Sequence, residues 1–365
     1  MAQSYHQAIT KPRLYVSYPL FLYASGGMDA VRNHLQGADN ISDRELYRLI
    51  TLDPSQSTEL PVENSDNWLA WRSLPNSTSY DSVNDNNLVF NSDNSYAMIL
   101  GHNLNSANGK TWLSSWDEDE EGNMINDTPL ESNITTIKNY SGHNSVPEYD
   151  GWSAWQLGEM PNNTHKWIGL RLSSDNWEDS VRINSVLYGK FFDFPQHCEL
   201  QQTLNFSYGN KQKLSLSGKT ISTSNWDKTD EWATTEPFGL GNDEGNPLRK
   251  SGRRTWQISF SSLQPKYLTN QNMMLNSNGY ESMDNHSTTT IDGQTASLYN
   301  AYNGIDFYTN VIKMTKGGHL PMVLCLSQTD TSPSNWAIVR LKSDFQITQQ
   351  SPNLYNIKIT LVEQI

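Results

Sequence analysis

The chain has little positive charge, little cysteine and no long apolar run. Lys and Arg number 26 against 39 Asp and Glu, giving a formal net charge of −13. Sequence-independent binding of nucleic acid needs cations that neutralise phosphates, so a nucleic-acid partner is not expected. Cys198 and Cys325 are the only cysteines, too few for a disulfide framework and without metal-ligand spacing. No stretch reaches the ~18 apolar residues of a spanning helix, so membrane insertion is not expected. G-x-S-x-G, H-E-x-x-H, G-x-x-x-x-G-K-[ST] and G-x-G-x-x-G are all missing, and the 8 His do not cluster. These absences argue against an enzyme. They do not address a glycosidase, which needs only two carboxylates brought together in space.

Aromatic and small polar residues are abundant. There are 12 Trp, 17 Tyr and 10 Phe, and Asn, Ser and Thr crowd the segments between apolar runs. That mixture predicts short strands joined by polar turns, an all-β, β-rich chain with few short helices. At 365 residues the chain has room for two cores. Asn-x-Ser/Thr triplets such as those at Asn76, Asn133 and Asn205 follow from the Asn content and carry no argument for secretion.

Residues 1–29 read as an N-terminal arm. Leu14–Ala24 is apolar, but Pro19 interrupts it, which disfavours a signal peptide. Pro12 and Pro19 favour an extended form whose aromatic side chains pack on this chain or a neighbour. Ser42-Asp43-Arg44-Glu45 is a capping box, and Leu46, Leu49 and Ile50 follow at helical spacing. Residues 30–195 form a first domain, with a long inserted loop at about 114–165. Residues 196–365 form a second. Within it, Leu204–Tyr208 and Leu214–Leu216 read as hairpin arms around Gly209-Asn210. Residues 218–248 read as a loop. Asp306 caps a helix that Gly317-Gly318 stops. Trp336–Leu341 and Phe345–Gln349 read as another hairpin. Tyr355, Ile357, Ile359 and Leu361 alternate with polar residues in a half-buried strand.

Several segments point to a known family. Tyr96–Leu104 is Y-A-M-I-L-G-H-N-L, an apolar strand ending on Gly-His-Asn. It is followed by W-I-G-L-R-L at 167–172 and I-N-S-V-L-Y-G-K-F-F-D-F-P at 183–195. Further on come R-R-T-W-Q-I-S-F-S-S-L at 253–263, F-Y-T-N-V-I-K-M-T-K-G-G-H-L-P at 307–321, N-W-A-I-V-R-L at 335–341 and the strand Tyr355–Glu363. The first set resembles a galactose-binding-like jelly roll. The ordered whole resembles minor tail or baseplate proteins of tailed bacteriophages, of the distal-tail adaptor kind. The resemblance implies a jelly-roll sandwich followed by a tail-type β-barrel or sandwich. It also implies a structural role in the virion, partners among other tail or baseplate proteins, and a homo-oligomeric ring or trimer. An alternative is a carbohydrate-binding, lectin-like protein contacting a host-surface glycan. A third reading is a polysaccharide-degrading enzyme.

No cofactor is expected, with one calcium candidate. Asp117, Asp119 and Glu121 followed by Gly122 mimic the start of a calcium loop, but Thr128 stands where the bidentate Glu belongs. The competing reading is a solvated acidic loop. Tyr149, Trp152 and Trp155 are candidates for stacking on a sugar, or for packing their loop or sealing a subunit contact. Arg253 and Arg254 are candidates for pairing with carboxylates of a neighbouring subunit, or simply an exposed strand start. His102-Asn103 reads as a turn whose Asn bonds its own backbone, against a ligand-facing tip.

Overall fold

The computed structural model describes residues 11–37, 41–53, 56–60, 67–72, 94–119, 123–130, 134–139, 144–158, 167–178, 180–199, 203–207, 211–223, 253–268, 306–328, 335–342, 345–352 and 354–364. The protein is all-β, with two α-helices, a 3-10 turn at Pro265–Tyr267 and a π-helical turn among the described residues. The strands of the first half are β1 (Arg13–Ser17), β2 (Leu35–Gln36), β3 (Thr58–Leu60), β4 (Asn67–Arg72), β5 (Ser95–His102), β6 (Lys110–Glu118), β7 (Met124–Pro129), β8 (Ile134–Lys138), β9 (Gly151–Leu157), β10 (Trp167–Ser173), β11 (Val181–Ile183) and β12 (Ser185–Asp193). Those of the second half are β13 (Thr203–Ser207), β14 (Lys211–Leu214), β15 (Thr220–Thr223), β16 (Arg253–Leu263), β17 (Met322–Cys325), β18 (Trp336–Leu341), β19 (Gln346–Ser351) and β20 (Leu354–Glu363).

One antiparallel sheet of 11 strands runs through both halves in the order β13-β16-β20-β18-β17-β1-β12-β5-β9-β8, with β19 also on β20. A second sheet, β2-β4-β10-β6-β7, faces the first-half end of the long sheet and makes a β-sandwich there. Ala97, Ile99, Trp155, Val186 and Tyr188 of the long sheet meet Leu69, Trp71, Leu113, Ile168 and Leu170 of the second in one buried cluster. The gap left between these layers is about 10 Å³, room for no more than one water.

Within the supposed arm, Arg13–Ser17 is an interior strand of the long sheet. β1 pairs with β12 on one side and with β17 on the other, so the N-terminal segment joins the two halves. Its alternation explains the placement. Leu14 and Val16 enter the second-half core, while Tyr15 enters a third cluster with Tyr96, Trp152 and Trp336 on the opposite face. Arg13 fixes the strand end. Its Nε and Nη2 donate to the Asp193 carboxylate at 2.6 and 2.7 Å, and its guanidinium lies 3.6 Å from the Phe191 ring centroid. Pro19 does not prevent a helix, because it falls in the first turn of α1 (Tyr18–Arg32), where a backbone N–H has no intrahelical acceptor anyway. Gly26-Gly27, with Gly27 at φ 71°, kinks α1.

The capping box is present. The Ser42 hydroxyl accepts from the Glu45 N–H, and the Ser42 N–H donates to the Glu45 carboxylate at 2.9 Å, opening α2 (Asp43–Ile50). The span 114–165 is not one inserted loop. It contains the end of β6 together with β7, β8 and β9. The boundary expected near 195–200 falls between β12 and β13, two strands of the same sheet.

Two expected hairpins pair otherwise. β13 lies on β16, while β14 pairs with β15, a strand inside the expected loop 218–248. β18 and β19 both lie on β20, β18 at its C-terminal end and β19 at its N-terminal end. β16 and β20 are the longest strands, and their extended ladders offer more backbone partners than a local two-strand hairpin does. The expected helix at Asp306 is the π-helical turn Tyr308–Lys313, with the Asp306 carboxylate accepting from the Thr309 N–H at 2.8 Å. Its Val311 and Ile312 cover the second-half core beside Tyr355, Ile357, Ile359 and Leu361, all on one buried face as their alternation predicts.

Candidate functional site

β5 ends on a bulge at Gly101, whose φ of 62° suits glycine and turns the following residues inward. His102 and Asn103 are both buried. The Asn103 side chain accepts from the Arg182 N–H at 2.7 Å and donates to the Ser180 carbonyl at 2.9 Å, tying β5 to the segment leading into β11. His102 Nδ1 accepts from the Leu104 N–H at 3.4 Å. Its Nε2 therefore carries the proton and donates to Ser153 Oγ at 2.9 Å. Ser153 in turn donates to the Asn139 carbonyl at 3.0 Å. Asn139, at φ 52°, donates to the Tyr149 and Trp152 carbonyls at 2.8 and 3.1 Å.

A serine hydrogen-bonded to a histidine suggests nucleophilic catalysis, but this pair points the other way. A general base must present a lone pair to the hydroxyl, and here the ring presents its N–H. Burial also lowers the His102 pKa to about 3, so the ring is neutral. The network closes one end of the sandwich.

The candidate residues from the sequence do not converge. Asp117 and Asp119 lie on the β6–β7 hairpin, and Glu121 lies outside the described residues. Asp117 accepts from Asn126 Nδ2 at 3.1 Å. Asp119 accepts from the Asn123 N–H at 2.7 Å and from Asn123 Nδ2 at 3.0 Å, which makes it a turn-forming residue. Among the described residues no group of three or more His, Cys, Asp or Glu side chains is placed to hold a metal.

Trp152 and Trp155 belong to β9 rather than to a loop. Three positions apart on a strand, they face opposite sides and enter different cores, at 1% and 0% exposure. Trp152 packs edge-on against Trp336 with centroids 4.7 Å apart. Neither has a face for a sugar. Tyr149 is half-buried, with the Lys138 ammonium 5.8 Å from its ring centroid. Arg254 is committed within the chain. Its Nη2 lies 2.6 Å from Glu363 Oε1, its Nε also donates to that carboxylate, and it sits 4.9 Å from the Trp256 ring centroid. Arg253 is exposed at the strand start.

Two surface features went unread in the sequence. One is a cleft of about 460 Å³ on the second half. Its lining is mostly polar, including Glu199, Gln257, Ser259, Gln346, Asn356 and Lys358. Ser259 Oγ donates to Glu199 at 3.0 Å. These residues come from β16, β19 and β20 and the segment before β13, so only the sheet order brings them together.

The other is an apolar arm. Of the seven large apolar side chains well exposed among the described residues, five lie within residues 204–221. Leu204 and Phe206 are on β13, an edge of the long sheet, at 47% and 48% exposure. Leu214, Leu216 and Ile221 belong to the separate hairpin β14–β15 and its turn. Cross-strand pairing sets Leu204 beside Trp256 and Phe206 beside Arg254, so the apolar face of the second-half core continues onto β13 and into solvent. A sequence signal for the arm exists. Residues 200–226 contain Lys211, Lys213 and Lys219 but no Asp or Glu, in a chain of net charge −13.

No family model matches the chain, and no curated protein does. Among solved structures, the chain is similar to a DUF4466 family protein from Parabacteroides merdae ATCC 43184. The identity is 10% over 85% of this chain and 98% of that one, with a TM-score of 0.17. A similarity at that level carries no argument about function.

Proposed function

We propose that the chain is a structural component of a tailed-phage virion, an adaptor in the tail or baseplate that joins neighbouring proteins. The observation that carries this reading is the exposed apolar arm of residues 203–223. Soluble proteins usually blunt their sheet edges with charge, proline or a covering segment. Here an edge strand displays Leu204 and Phe206, and the next hairpin displays Leu214, Leu216 and Ile221. A two-stranded hairpin with so little buried area is marginal by itself and gains stability by docking. The segment order quoted above adds the particular setting, a virion, with other tail or baseplate proteins and further copies of the chain as partners. The test is to band tailed particles from the host culture in a density gradient and digest them for mass spectrometry. Peptides of this chain at a fixed ratio to the major tail protein support the reading. Their confinement to the soluble fraction overturns it.

The polar cleft favours a second reading, contact with a host-surface glycan. Amides and hydroxyls beside one carboxylate and one ammonium suit sugar hydroxyls, and they lie on this sheet face rather than at Tyr149, Trp152 and Trp155. Titration with host-surface oligosaccharides tests it: binding that Gln257→Ala and Asn356→Ala abolish supports the cleft, and binding unaffected by both removes it.

A further inference from the structure

The outer face of the second-half sheet carries the polar cleft. Gln257 and Ser259 alternate on β16 with Trp256, Ile258 and Phe260, and Asn356 and Lys358 alternate on β20 with Tyr355, Ile357 and Ile359. The apolar set fills the second-half core, so the polar set faces the other way. The strand register lines up one row across this face. Ser259 stands opposite Lys358, and Lys358 stands opposite Gln346 on β19. Glu199 extends the row beyond Ser259. Its N–H donates to the Ser259 carbonyl at 2.8 Å, and its carboxylate accepts from Ser259 Oγ at 3.0 Å. The row therefore runs from a carboxylate to an ammonium, with about two strand spacings, roughly 10 Å, between the backbones of Glu199 and Lys358.

The groups along the row differ in their remaining hydrogen-bonding capacity. Ser259 gives its one proton to Glu199. Asn356 Oδ1 accepts from the Ser262 N–H at 3.1 Å, which fixes the amide and leaves Nδ2 as a donor. Asn356 is two residues from Lys358 on the same face of β20. Among the described residues the Lys358 ammonium has no hydrogen-bond or ion-pair partner, and β19 beside it carries no charged residue. Lys358 and Gln346 are both exposed. One end of the cleft thus presents donors around a cation, and the other presents an acceptor carboxylate already held in place.

We infer that the cleft binds a glycan unit bearing a carboxylate, a uronic or sialic acid, with its charged group at Lys358 and its ring hydroxyls at Glu199. The inference rests on the glycan-contact reading above and names the sugar class. A carboxylate has two acceptor oxygens, one for the ammonium and one for Asn356 Nδ2, and hydrogen bonds between charged groups are stronger than neutral ones. Sugar hydroxyls donate to Glu199, which repels a second negative charge at that end. A neutral sugar leaves Lys358 without a counter-charge. A heavily sulfated chain sets anions along the whole row, against Glu199 and a net charge of −13. The cleft, at about 460 Å³, is of a size that small-ligand sites have.

Isothermal calorimetry on the full-length protein tests this. The probes are tetragalacturonic acid and a sialic acid trimer, each beside its own methyl ester, with a sulfated dextran oligosaccharide for comparison. Acid and ester share every ring hydroxyl, so the difference between them isolates the charge. At least one acid probe is expected to bind, with its ester weaker by roughly tenfold or more. Lys358→Gln should bring the affinity for that acid down to the level of the ester. Lys358→Arg keeps the charge and should retain most of the affinity, which separates lost charge from a disturbed fold. Equal affinity for acid and ester, a preference for the sulfated dextran, or acid binding that Lys358→Gln leaves unchanged overturns the inference and leaves the glycan-contact reading standing. Binding of no probe also overturns it. The titration with host-surface oligosaccharides and the Gln257→Ala and Asn356→Ala proteins then decides the wider reading by itself.

Discussion

Tyr15 stacks on Trp336, with ring centroids 5.6 Å apart and planes 24° from parallel. One residue lies near the N-terminus and the other in the second half, 321 positions later (336 − 15). Tyr15 also meets Tyr96 edge-on at 4.8 Å, so a single side chain bridges the two halves of the long sheet.

Truncating that side chain should destabilise both halves together. Tyr15→Ala is expected to cost about 3–5 kcal/mol, the range for large aromatic truncations in a core. Denaturant unfolding followed by tryptophan fluorescence should show one shifted transition. Two transitions, with one unmoved, would mean that the halves fold independently. Deleting residues 1–24 is the harsher form of the same test, because it removes a central strand and should unfold the protein.

His102 makes stability depend on pH. Its folded pKa, about 3, lies below the ordinary value of 6.5, because burial penalises the charged ring. Below pH 6.5 the unfolded chain takes up a proton that the folded chain refuses. Stability from this group is therefore full above about 6.5 and falls by up to about 1.4 kcal/mol per pH unit towards pH 3. His102→Gln should flatten that slope relative to the wild type in parallel denaturant titrations. Equal slopes would show that the ring is not buried in its neutral form.

Gly189 has no room for a side chain. A Cβ there would sit 2.3 Å from the Val16 carbonyl oxygen on the adjacent strand. Gly189→Ala should push β1 and β12 apart and cost about 1–3 kcal/mol, as overpacking does. A melting temperature within error of the wild type would mean that the strands yield freely.

What the sequence conveyed depended on how local each cause was. The box at Ser42 and Glu45, the cap at Asp306 and the alternation from Tyr355 to Leu361 are set within a few residues, and all three are legible. Strand partnership is not local. Arg13, Leu14 and Tyr15 pair with residues 191–193 on one side and 323–325 on the other, and no spacing within residues 1–29 signals that. The same limit misplaced Trp152 and Trp155, whose burial depends on neighbours from distant strands. The polar cleft was hidden because the sheet order assembles it. The basic arm was legible in principle, as a stretch of reversed charge, but the apolar side chains on it read as ordinary strand alternation until their exposure was seen.

The central claim is that this chain is built into a tail through its exposed edges. Cryo-electron microscopy of intact tailed particles tests it most directly, by fitting the 11-stranded sheet into density around the tail axis. The account predicts several copies at one level of the tail or baseplate, with residues 203–223 of each buried against a neighbour. Particles without density for the sheet, or copies whose residues 203–223 face solvent, would contradict it.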